Sequence, residues 1–372
     1  MSSASTGSIL LSGSSNLRWC SLRPERRGPI RVGIIGLGRI TQIHHGPNIL
    51  RSPRFVLDAV CDLDSNVAQH LGAAWGIPAE GVATDARDLL DRDLDAVVIT
   101  NHHHAPVVVA ALERGLHVFV EKPLLWSLEE ARAVSAAAAA APGRVLFVGY
   151  TRRHDSAFQV LTESIDRGAV RMVRASQFAG GRHRLSPSLS LVKPSTKAPE
   201  GITLRESATV TLPDADNCEI ELFCSLLQLG IHGLNALRAM FGPPTAVVAR
   251  RIGKVGCHAL LDFDGVPVSW EYLPDFDSVR SWDERLEVVE SSRLLSLTFT
   301  SPFSPECGSE LRVETASTNR DTVVKTVWSV SPFVREIEAF ADCIVEGSAA
   351  PTGIEDAIAD LKLVRDLVTA TR

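Results

Sequence analysis

The feature that most constrains the fold is an apolar strand that runs into a glycine turn and then into a helix. The run Ile30–Ile35 is followed by Gly36-Leu37-Gly38, and a helical pattern extends from about Arg39 to Leu50. In this context Gly36 allows a tight turn, and Gly38 lets the backbone approach a pyrophosphate at the helix N-terminus. The segment therefore predicts a dinucleotide-binding site. The expected cofactor contacts in this loop are Gly36, Gly38, Arg39 and Ile40.

Two nearby residues refine this prediction. The third position of the glycine fingerprint is Thr41 rather than Gly or Ala, so we expect the helix and strand to sit slightly further apart. The second strand, Phe55–Cys61, ends at Asp62, which lies 24 residues after Gly38. A carboxylate there accepts hydrogen bonds from the ribose 2′-OH of NAD and repels the 2′-phosphate of NADP. We therefore expect NAD as the cofactor, with NADP disfavoured by Asp62.

Strands and helices alternate as far as about residue 150. Further strands are expected at Ala96–Thr100, His117–Val120 and Val145–Val148, with helices between them. Ser127 and Glu130 form a capping-box pattern at the start of the helix Leu128–Ala141. This alternation predicts an α/β fold in which residues 30–150 form a Rossmann domain with a doubly wound parallel sheet. The Ser- and Arg-rich residues 1–29 are expected to be a disordered leader.

The regular alternation of strands and helices ends at about residue 150. We predict that residues 151–372 form a substrate and oligomerisation domain of α/β type. Ala259–Phe263 and Val266–Tyr272 flank Asp264-Gly265, a strong hairpin signal. Leu294–Thr300 and Val323–Val330 also alternate as strands do. We expect an open, mainly antiparallel sheet with helices on one face. Residues 185–217 are left unassigned, and the C-terminal helices within 333–370 are expected to pack back on the first domain.

Composition excludes several classes of function. The net charge of −6 disfavours a nucleic-acid partner, and the absence of an apolar run of 18 residues disfavours a membrane span. None of the seven scattered cysteines forms a Cys-x-x-Cys pair, so we expect reduced thiols and a cytoplasmic protein.

Lys122 is the only lysine among residues 1–192, a stretch that contains 20 arginines. Its amine can exchange a proton, whereas a guanidinium cannot, so Lys122 is expected where chemistry requires an amine. The run His102-His103-His104 follows a predicted strand, where neighbouring side chains point to opposite faces and cannot converge on one ion. We expect no metal site, and we expect Asn101 and His104 to line the nicotinamide end of the cofactor site.

Motifs in this order and spacing resemble the Gfo/Idh/MocA oxidoreductases, which include glucose-fructose oxidoreductases, inositol dehydrogenases and rhizopine catabolism proteins. The resemblance runs from about Ile30 to the C-terminal helix. The segments that carry it are Gly36-Leu37-Gly38 with His44, Asn101 with His104, Glu121-Lys122-Pro123, Val148 to Arg153, Leu229 to His232, and Pro332-Phe333 with Glu336 and Phe340.

The resemblance implies site residues in both domains. Lys122 and His232 would flank the substrate beside the nicotinamide, and the family's catalytic Asp falls on Gln228. Thr100, Asn101, His104, Glu121 and Lys122 would contact the cofactor, and Arg152, Arg153, Gln228 and Asn235 would contact the substrate. The family also implies a homodimer or homotetramer.

Oxidation of a secondary alcohol needs a base that titrates near the working pH. His232 meets this requirement without tuning, and Lys122 can stabilise a developing alkoxide. Gln228 cannot supply charge, so we expect His232 to act as the base alone, with Gln228 as a substrate contact.

Three hypotheses for function follow. The leading one is a dehydrogenase or ketoreductase that acts on a sugar, nucleotide sugar, inositol or aminocyclitol. The second is a redox-neutral enzyme that uses NAD transiently for elimination, epimerisation or glycoside cleavage. The third is a non-catalytic NAD-binding regulator, to which Gln228 lends support.

Overall fold

The computed structural model describes residues 28–179, 191–195, 204–252, 256–274, 282–304, 308–316 and 321–370. The predicted leader lies almost entirely outside these residues, as do residues 185–190 and 196–203 of the unassigned segment.

A six-stranded parallel sheet forms the first domain. Its strands are β1 (Ile30–Ile35), β2 (Phe55–Cys61), β3 (Val82–Ala83), β4 (Ala96–Ile99), β5 (His117–Glu121) and β6 (Leu146–Gly149). The spatial order is β3-β2-β1-β4-β5-β6, so the chain reverses direction across the sheet between β1 and β4. In such a sheet, ligands bind beyond the carboxyl ends of the strands at this reversal.

The helices of this domain connect successive strands. Helix α1 has a π-helical turn, Thr41–His45, followed by an α-helical part, Gly46–Arg51. The others are α2 (Ser65–Ala74), α3 (Ala86–Leu90), α4 (His104–Glu113) and α5 (Leu128–Ala140). The predicted capping box of Ser127 and Glu130 is present at the start of α5.

The second sheet is mixed and has eight strands in the order β14-β13-β12-β11-β7-β10-β9-β8. The strands are β7 (Val170–Ala179), β8 (Ala246–Ile252), β9 (Cys257–Phe263), β10 (Val266–Leu273), β11 (Trp282–Glu290), β12 (Arg293–Phe299), β13 (Glu310–Thr315) and β14 (Thr322–Val327). The pair β7 and β10 is parallel, and the other pairs are antiparallel. The predicted hairpin turn is present, and both Asp264 and Gly265 have positive φ.

One face of the second sheet is covered by helices, and the opposite face is exposed. Helix α6 (Ser156–Ser164) contacts β12 and β13, helix α7 (Leu204–Thr211) lies against α8, and helix α8 (Asn217–Phe241) packs on β7. Helix α8 contains a π turn at Leu226–Gly230. Within the described residues it is also the one helix long and apolar enough to cross a membrane, and 61% of that apolar window is buried inside the molecule. Such burial is typical of a core helix.

Two C-terminal helices close the structure. Helix α9 (Pro332–Glu346) packs against α1, and its Phe340 ring meets Phe119 and Phe147 of the first sheet at centroid distances of 5.8 and 5.9 Å. Helix α10 (Ile354–Thr369) packs against α5 and α8. The C-terminal segment therefore contacts both domains.

The predicted fold class is confirmed: a parallel Rossmann sheet is followed by an open, mainly antiparallel sheet. Strand β11 was not predicted from the sequence because it carries Glu284 and Glu290 on its inward face, which breaks the apolar alternation. Glu284 is buried against Arg152, and Glu290 pairs with Arg293. A search for alternating apolar residues therefore does not detect this strand, because two of its inward-facing residues are paired charges.

Candidate active site

The turn after β1 requires glycine at one position and leaves open space at another. Gly36 has a φ of 92°, and a Cβ there would lie 2.5 Å from the backbone nitrogen of Asn101. A Cβ at Gly38 would meet nothing within 4 Å. Gly36 therefore permits close contact with the loop after β4, and Gly38 keeps the approach to the helix N-terminus clear, as a pyrophosphate would need.

Thr41 is accommodated by hydrogen bonds. Its hydroxyl is 2.8 Å from the carbonyl oxygen of Gly36 and 2.7 Å from the hydroxyl of Thr100, and the side chain is fully buried. Helix α1 begins at Thr41 with the wider π turn. The non-Gly residue thus ties the loop to the end of β4.

Asp62 lies at the carboxyl end of β2 and faces the glycine loop. Its carboxylate accepts the backbone N–H of Leu37 at 2.8 Å and that of Asp64 at 2.9 Å. The side chain is half-buried, so it remains accessible beside the loop. This is the position from which a carboxylate can reach a ribose hydroxyl.

The segment Leu191–Ser195 lies over the same loop, which sequence reasoning did not anticipate. Gln42 exchanges two hydrogen bonds with the backbone of Val192, at 3.0 and 2.9 Å. Ser195 donates from its backbone N–H and its hydroxyl to Asp64. A polar segment without periodicity gave no signal for this contact.

A cleft of about 460 Å³ opens between the two domains beside this loop. It is lined by Gly38, Arg39, Ile40, Thr41, Thr100, Asn101, His102, His104, Glu121, Lys122, Pro123, Trp126, Thr151, Gln228, Leu229, His232, Trp282, Pro302, Phe303 and Phe333. Predicted cofactor and catalytic residues from both domains therefore share one cavity. Gly36 and Asp62 are not among the lining residues.

Lys122 reaches across the cleft from the end of β5. Its Nζ donates a hydrogen bond to the main-chain carbonyl oxygen of Gln228 at 2.5 Å. Gln228 lies in the π turn of α8, one turn before His232. The structure thus brings Lys122, Gln228 and His232 together.

The pKa of His232 differs from the expected value near neutral pH. Burial lowers its pKa well below the ordinary value, and the positive charges of Lys122 and Arg152 lower it further. No carboxylate contributes in the opposite direction. The expectation of a histidine that titrates near neutral pH is therefore wrong for this structure, and the ring is neutral there. Its Nδ1 atom is buried and has no hydrogen-bond partner among the described residues.

Three aromatic side chains form cleft walls that sequence reasoning missed. Trp126 lies just after the Glu-Lys-Pro motif, Trp282 begins β11, and Phe303 follows β12. The guanidinium of Arg39 lies over the Phe303 ring at 5.6 Å. The nearness of Trp126 to Lys122 in sequence is a signal that could have found it, whereas Trp282 and Phe303 are distant in sequence from every motif.

Arg153 and Asn235 do not line the cleft. Arg153 donates to the Asn235 side-chain oxygen at 2.8 Å and pairs with Asp356 at 2.6 Å, and Asn235 donates to Asp360 at 2.7 Å. These contacts join the start of the second domain to α8 and α10. A substrate contact would have to lie in the cleft, so the structure gives both residues a structural position instead.

Arg152 is also committed to the protein. It forms a buried ion pair with Glu284, donates to the carbonyl oxygen of Thr300 at 3.3 Å, and lies over the Phe299 ring at 4.6 Å. It acts on the cleft through the Trp282 ring, whose centroid is 5.9 Å from its guanidinium carbon.

The three consecutive histidines have separate environments. His102 lines the cleft, His103 contacts Glu130 at 2.7 Å, and the Nδ1 of His104 contacts the carbonyl oxygen of Pro123 at 2.8 Å. Burial lowers the pKa of His104 to about 4, so its ring is neutral. Because its partner is a carbonyl, Nδ1–H is the donor, and this bond fixes the ring beside the Lys122-Pro123 peptide.

Comparison with known proteins identifies the first domain. Residues 30–150 match the model of an oxidoreductase family with an NAD-binding Rossmann fold, the Gfo/Idh/MocA family. Inositol 2-dehydrogenase 3 of Saccharopolyspora erythraea is 35% identical over 147 residues, or 38% of this chain and 42% of that protein. An inositol 2-dehydrogenase/D-chiro-inositol 3-dehydrogenase of Shouchella clausii is 32% identical over 143 residues, or 38% of this chain and 41% of that protein. The matched part thus spans about two fifths of the length of these relatives.

Solved structures share the fold over nearly the whole chain. The 3-ketoreductase KijD10 of Actinomadura kijaniata, in complex with TDP-benzene and NADP, superimposes with a TM-score of 0.70 over 93% of this chain and 98% of that one, at 21% identity. A putative NADPH-dependent oxidoreductase of Desulfitobacterium hafniense superimposes with a TM-score of 0.72 over 92% and 96%, at 20% identity. At this identity the likeness establishes the two-domain architecture alone.

Proposed function

We propose that this protein is a dehydrogenase or ketoreductase acting on a secondary alcohol of a polyol, because residues 30–150 match the model of an oxidoreductase family with an NAD-binding Rossmann fold. The observation that carries the proposal is the meeting of Lys122, Gln228 and His232 in one interdomain cleft. An amine from one domain and an imidazole from the other then face the same reacting centre.

The residues divide the chemistry between them. A bound nicotinamide dinucleotide supplies the hydride acceptor or donor. The Lys122 ammonium can donate a hydrogen bond to the substrate oxygen and stabilise negative charge that develops there. The neutral His232 ring lines the cleft, so one of its nitrogens can accept the hydroxyl proton.

The depressed pKa of His232 favours one assignment of the acid. A ring that stays neutral at neutral pH holds no proton to give to a ketone, so Lys122 is the group that can donate one. His232 then orients the hydroxyl and accepts its proton transiently in the oxidation direction. Lys122 thus carries the larger share of the proton chemistry.

The walls of the cleft support a ring-shaped polyol as the substrate class. Trp126, Trp282 and Phe303 offer flat apolar surfaces to C–H groups, and Lys122 and His232 offer polar atoms to hydroxyls. Two relatives of the first domain are named as inositol dehydrogenases, and an inositol is a ring-shaped polyol.

We further propose NAD as the preferred cofactor. The Asp62 carboxylate is fixed by two backbone N–H groups beside the glycine loop, where it would repel the 2′-phosphate of NADP. KijD10, which shares the fold, was crystallised with NADP, so the proposal for NAD rests on Asp62 and not on the fold.

The test is a panel of inositols, sugars and nucleotide sugars assayed with NAD for the appearance of reduced nicotinamide. Lys122→Met should lower kcat by about 10²–10³-fold while NAD binding is kept, because one preorganised donor is removed. Lys362→Met is the matched control, since Lys362 is exposed on α10 and should leave kcat unchanged.

Three outcomes would contradict the proposal. Turnover of a polyol without net reduction of NAD would favour the redox-neutral alternative. NAD binding with no turnover of any panel member would favour the regulator. A Lys122→Met protein as active as the Lys362→Met protein would remove Lys122 from the mechanism.

A further inference from the structure

A buried cluster of ionisable side chains lies directly behind the Lys122 wall of the cleft. His45 of α1, Glu121 of β5 and Glu336 of α9 each place one nitrogen or oxygen atom within 4.8 Å of the others. His45 and Glu336 are fully buried, and Glu121 is 8% exposed. We call these residues the His45–Glu121–Glu336 cluster. It joins elements from both ends of the chain.

Glu121 is the ionised member of this cluster. Its Oε1 atom contacts the Nε2 of His45 at 2.8 Å, and its Oε2 atom accepts the backbone N–H of Lys122 at 3.1 Å. Burial acts to raise the pKa of Glu121, but the hydrogen bond and charge of His45 and the charge of Lys122 outweigh it and lower the pKa. Glu121 is therefore the group that holds the Lys122 backbone in place.

Glu336 has no comparable stabilisation of a negative charge. Neither of its carboxyl oxygens makes a hydrogen bond of normal geometry within the described residues, and the Thr151 hydroxyl is the one group that favours its charged form. Both oxygens are buried, and one lies within 4.8 Å of a Glu121 carboxylate oxygen. The charged neighbours on its own helix point elsewhere, because Arg335 is directed to Gln159 and Glu338 to Arg54. Two adjacent buried carboxyls cannot both be ionised without a large cost.

We propose that Glu336 is a positioning residue that stays protonated and shares its proton with Glu121. The shared proton fixes the Glu121 carboxylate, which in turn fixes the backbone at Lys122. The role in catalysis rests on the proposed dehydrogenase function, whereas the protonated carboxyl itself does not depend on it.

The electrostatics agree with this geometry. Burial raises the pKa of Glu336 well above its ordinary value, and the negative charge of Glu121 raises it further; the nearby Thr151 hydroxyl opposes this rise. A folded-state pKa above the unfolded one contributes stability that is present at acid pH and is lost as the pH rises through the folded value. The cluster should therefore weaken at alkaline pH.

The first experiment observes the proton directly. Infrared spectroscopy of the wild-type protein at neutral pH should show a protonated carboxylic-acid C=O band that is absent in Glu336→Gln. Glu338→Gln, two residues further along the same helix on its solvent side, should keep the band. Loss of the band in Glu338→Gln, or its absence in the wild type, would overturn the proposal even if the enzyme is an active dehydrogenase.

The second experiment tests the positioning role. Glu336→Ala should lower kcat by about tenfold or more, as removal of a supporting group behind a site commonly does. Glu336→Gln should keep kcat near the wild-type value, because the amide can donate a hydrogen bond to Glu121 at every pH. For the same reason, the melting temperature of Glu336→Gln should fall less at alkaline pH than that of the wild type. Equal activity and equal pH dependence in the Ala and Gln variants would overturn this role.

The same three residues could in principle ligate a divalent cation, and the experiment distinguishes this case. Metal analysis of the purified protein should show no stoichiometric divalent ion that depends on Glu336. A stoichiometric ion that is lost in Glu336→Gln would overturn the shared-proton proposal, because a ligating carboxyl cannot keep its proton. This readout, like the infrared band, is independent of turnover.

Discussion

The two walls of the cleft differ in what fixes their functional atoms. On the Rossmann side, Gly36 and Asp62 are set by backbone contacts, and Glu121 accepts two N–H groups. On the α8 side, a π turn presents a main-chain carbonyl of Gln228, and His232 carries an unpartnered ring nitrogen among the described residues. The first wall is complete without substrate, whereas the second is not.

This difference bears on where the sequence departs from the family pattern that it resembles. The Rossmann wall binds a constant ligand, and its requirements fall on backbone conformation, so residues 30–150 still match the family model. The α8 wall faces the variable substrate through side chains, and there Gln228 replaces the expected carboxylate. Lys122 donates to the main-chain carbonyl of residue 228, so a different side chain at this position leaves that hydrogen bond in place.

The largest expected effect concerns the buried ion pair of the second domain, which lies beside the Trp282 wall of the cleft. Arg152→Met should destabilise the protein by about 3–5 kcal/mol, because it leaves Glu284 buried without its cation. Chemical denaturation would measure this, with Arg174→Met as the control; Arg174 is 63% exposed in its side chain, so its loss should stay within about 0.5 kcal/mol. Equal losses in the two variants would mean that the buried pair does not stabilise the second domain.

The next prediction concerns Gly36, where the Rossmann wall depends on backbone conformation. Gly36→Ala should cost about 3 kcal/mol and abolish NAD binding, because a positive φ and a contact of 2.5 Å to Asn101 combine. Gly143→Ala has a positive φ but open space, so it should cost only about 1 kcal/mol. Unfolding curves and fluorescence titration with NAD measure both. Equal losses of stability and NAD affinity in the two variants would mean that the close contact of Gly36 with Asn101 is not required.

The third prediction tests whether the side chain at position 228, on the α8 wall, influences His232. Gln228→Asp should raise the pKa of His232, because a nearby negative charge stabilises the imidazolium. The acid limb of the kcat/KM profile should then move to higher pH, while Gln228→Asn should leave it in place. An unmoved limb in Gln228→Asp would show that residue 228 and His232 are not coupled.

The smallest effect concerns cofactor choice. Asp62→Ser should tighten NADP binding by about tenfold, or about 1.4 kcal/mol, with a smaller change for NAD. Asp91→Ser provides the control, since the Asp91 side chain is 66% exposed and pairs with Arg114 away from the loop. Dissociation constants for both cofactors would measure the ratio. A ratio that stays constant would mean that Asp62 does not discriminate between them.

The sequence was most informative where local chemistry decides the structure. Glycine spacing, the capping box at Ser127 and the Asp264-Gly265 turn each predicted an element that the structure contains. The resemblance also implied that Lys122 and His232 would lie at one site, and both line the same cleft. In these cases the required residue type is set by its own backbone or by its near neighbours.

Other features depended on distant partners and could not be predicted. The burial that lowers the pKa of His232 comes from the way the domains pack, and no local pattern records it. Arg153 and Asn235 looked like substrate contacts until the structure supplied Asp356 and Asp360 as their partners. A polar side chain near a motif has the same appearance in a sequence whether its partner is a ligand or a helix from the C-terminus.

The packing of α9 on the first sheet has a consequence for modularity. Phe340 fills the space against Phe119 and Phe147, and Phe333 stacks on the His44 ring with centroids 3.8 Å apart. Residues 30–150 are contiguous in sequence, yet their hydrophobic interior is closed by a segment made some 180 residues later. Exchange of a cofactor-binding half between such enzymes therefore has to transfer two separate stretches of coding sequence, and a chimera that moves only the first would inherit an uncovered core.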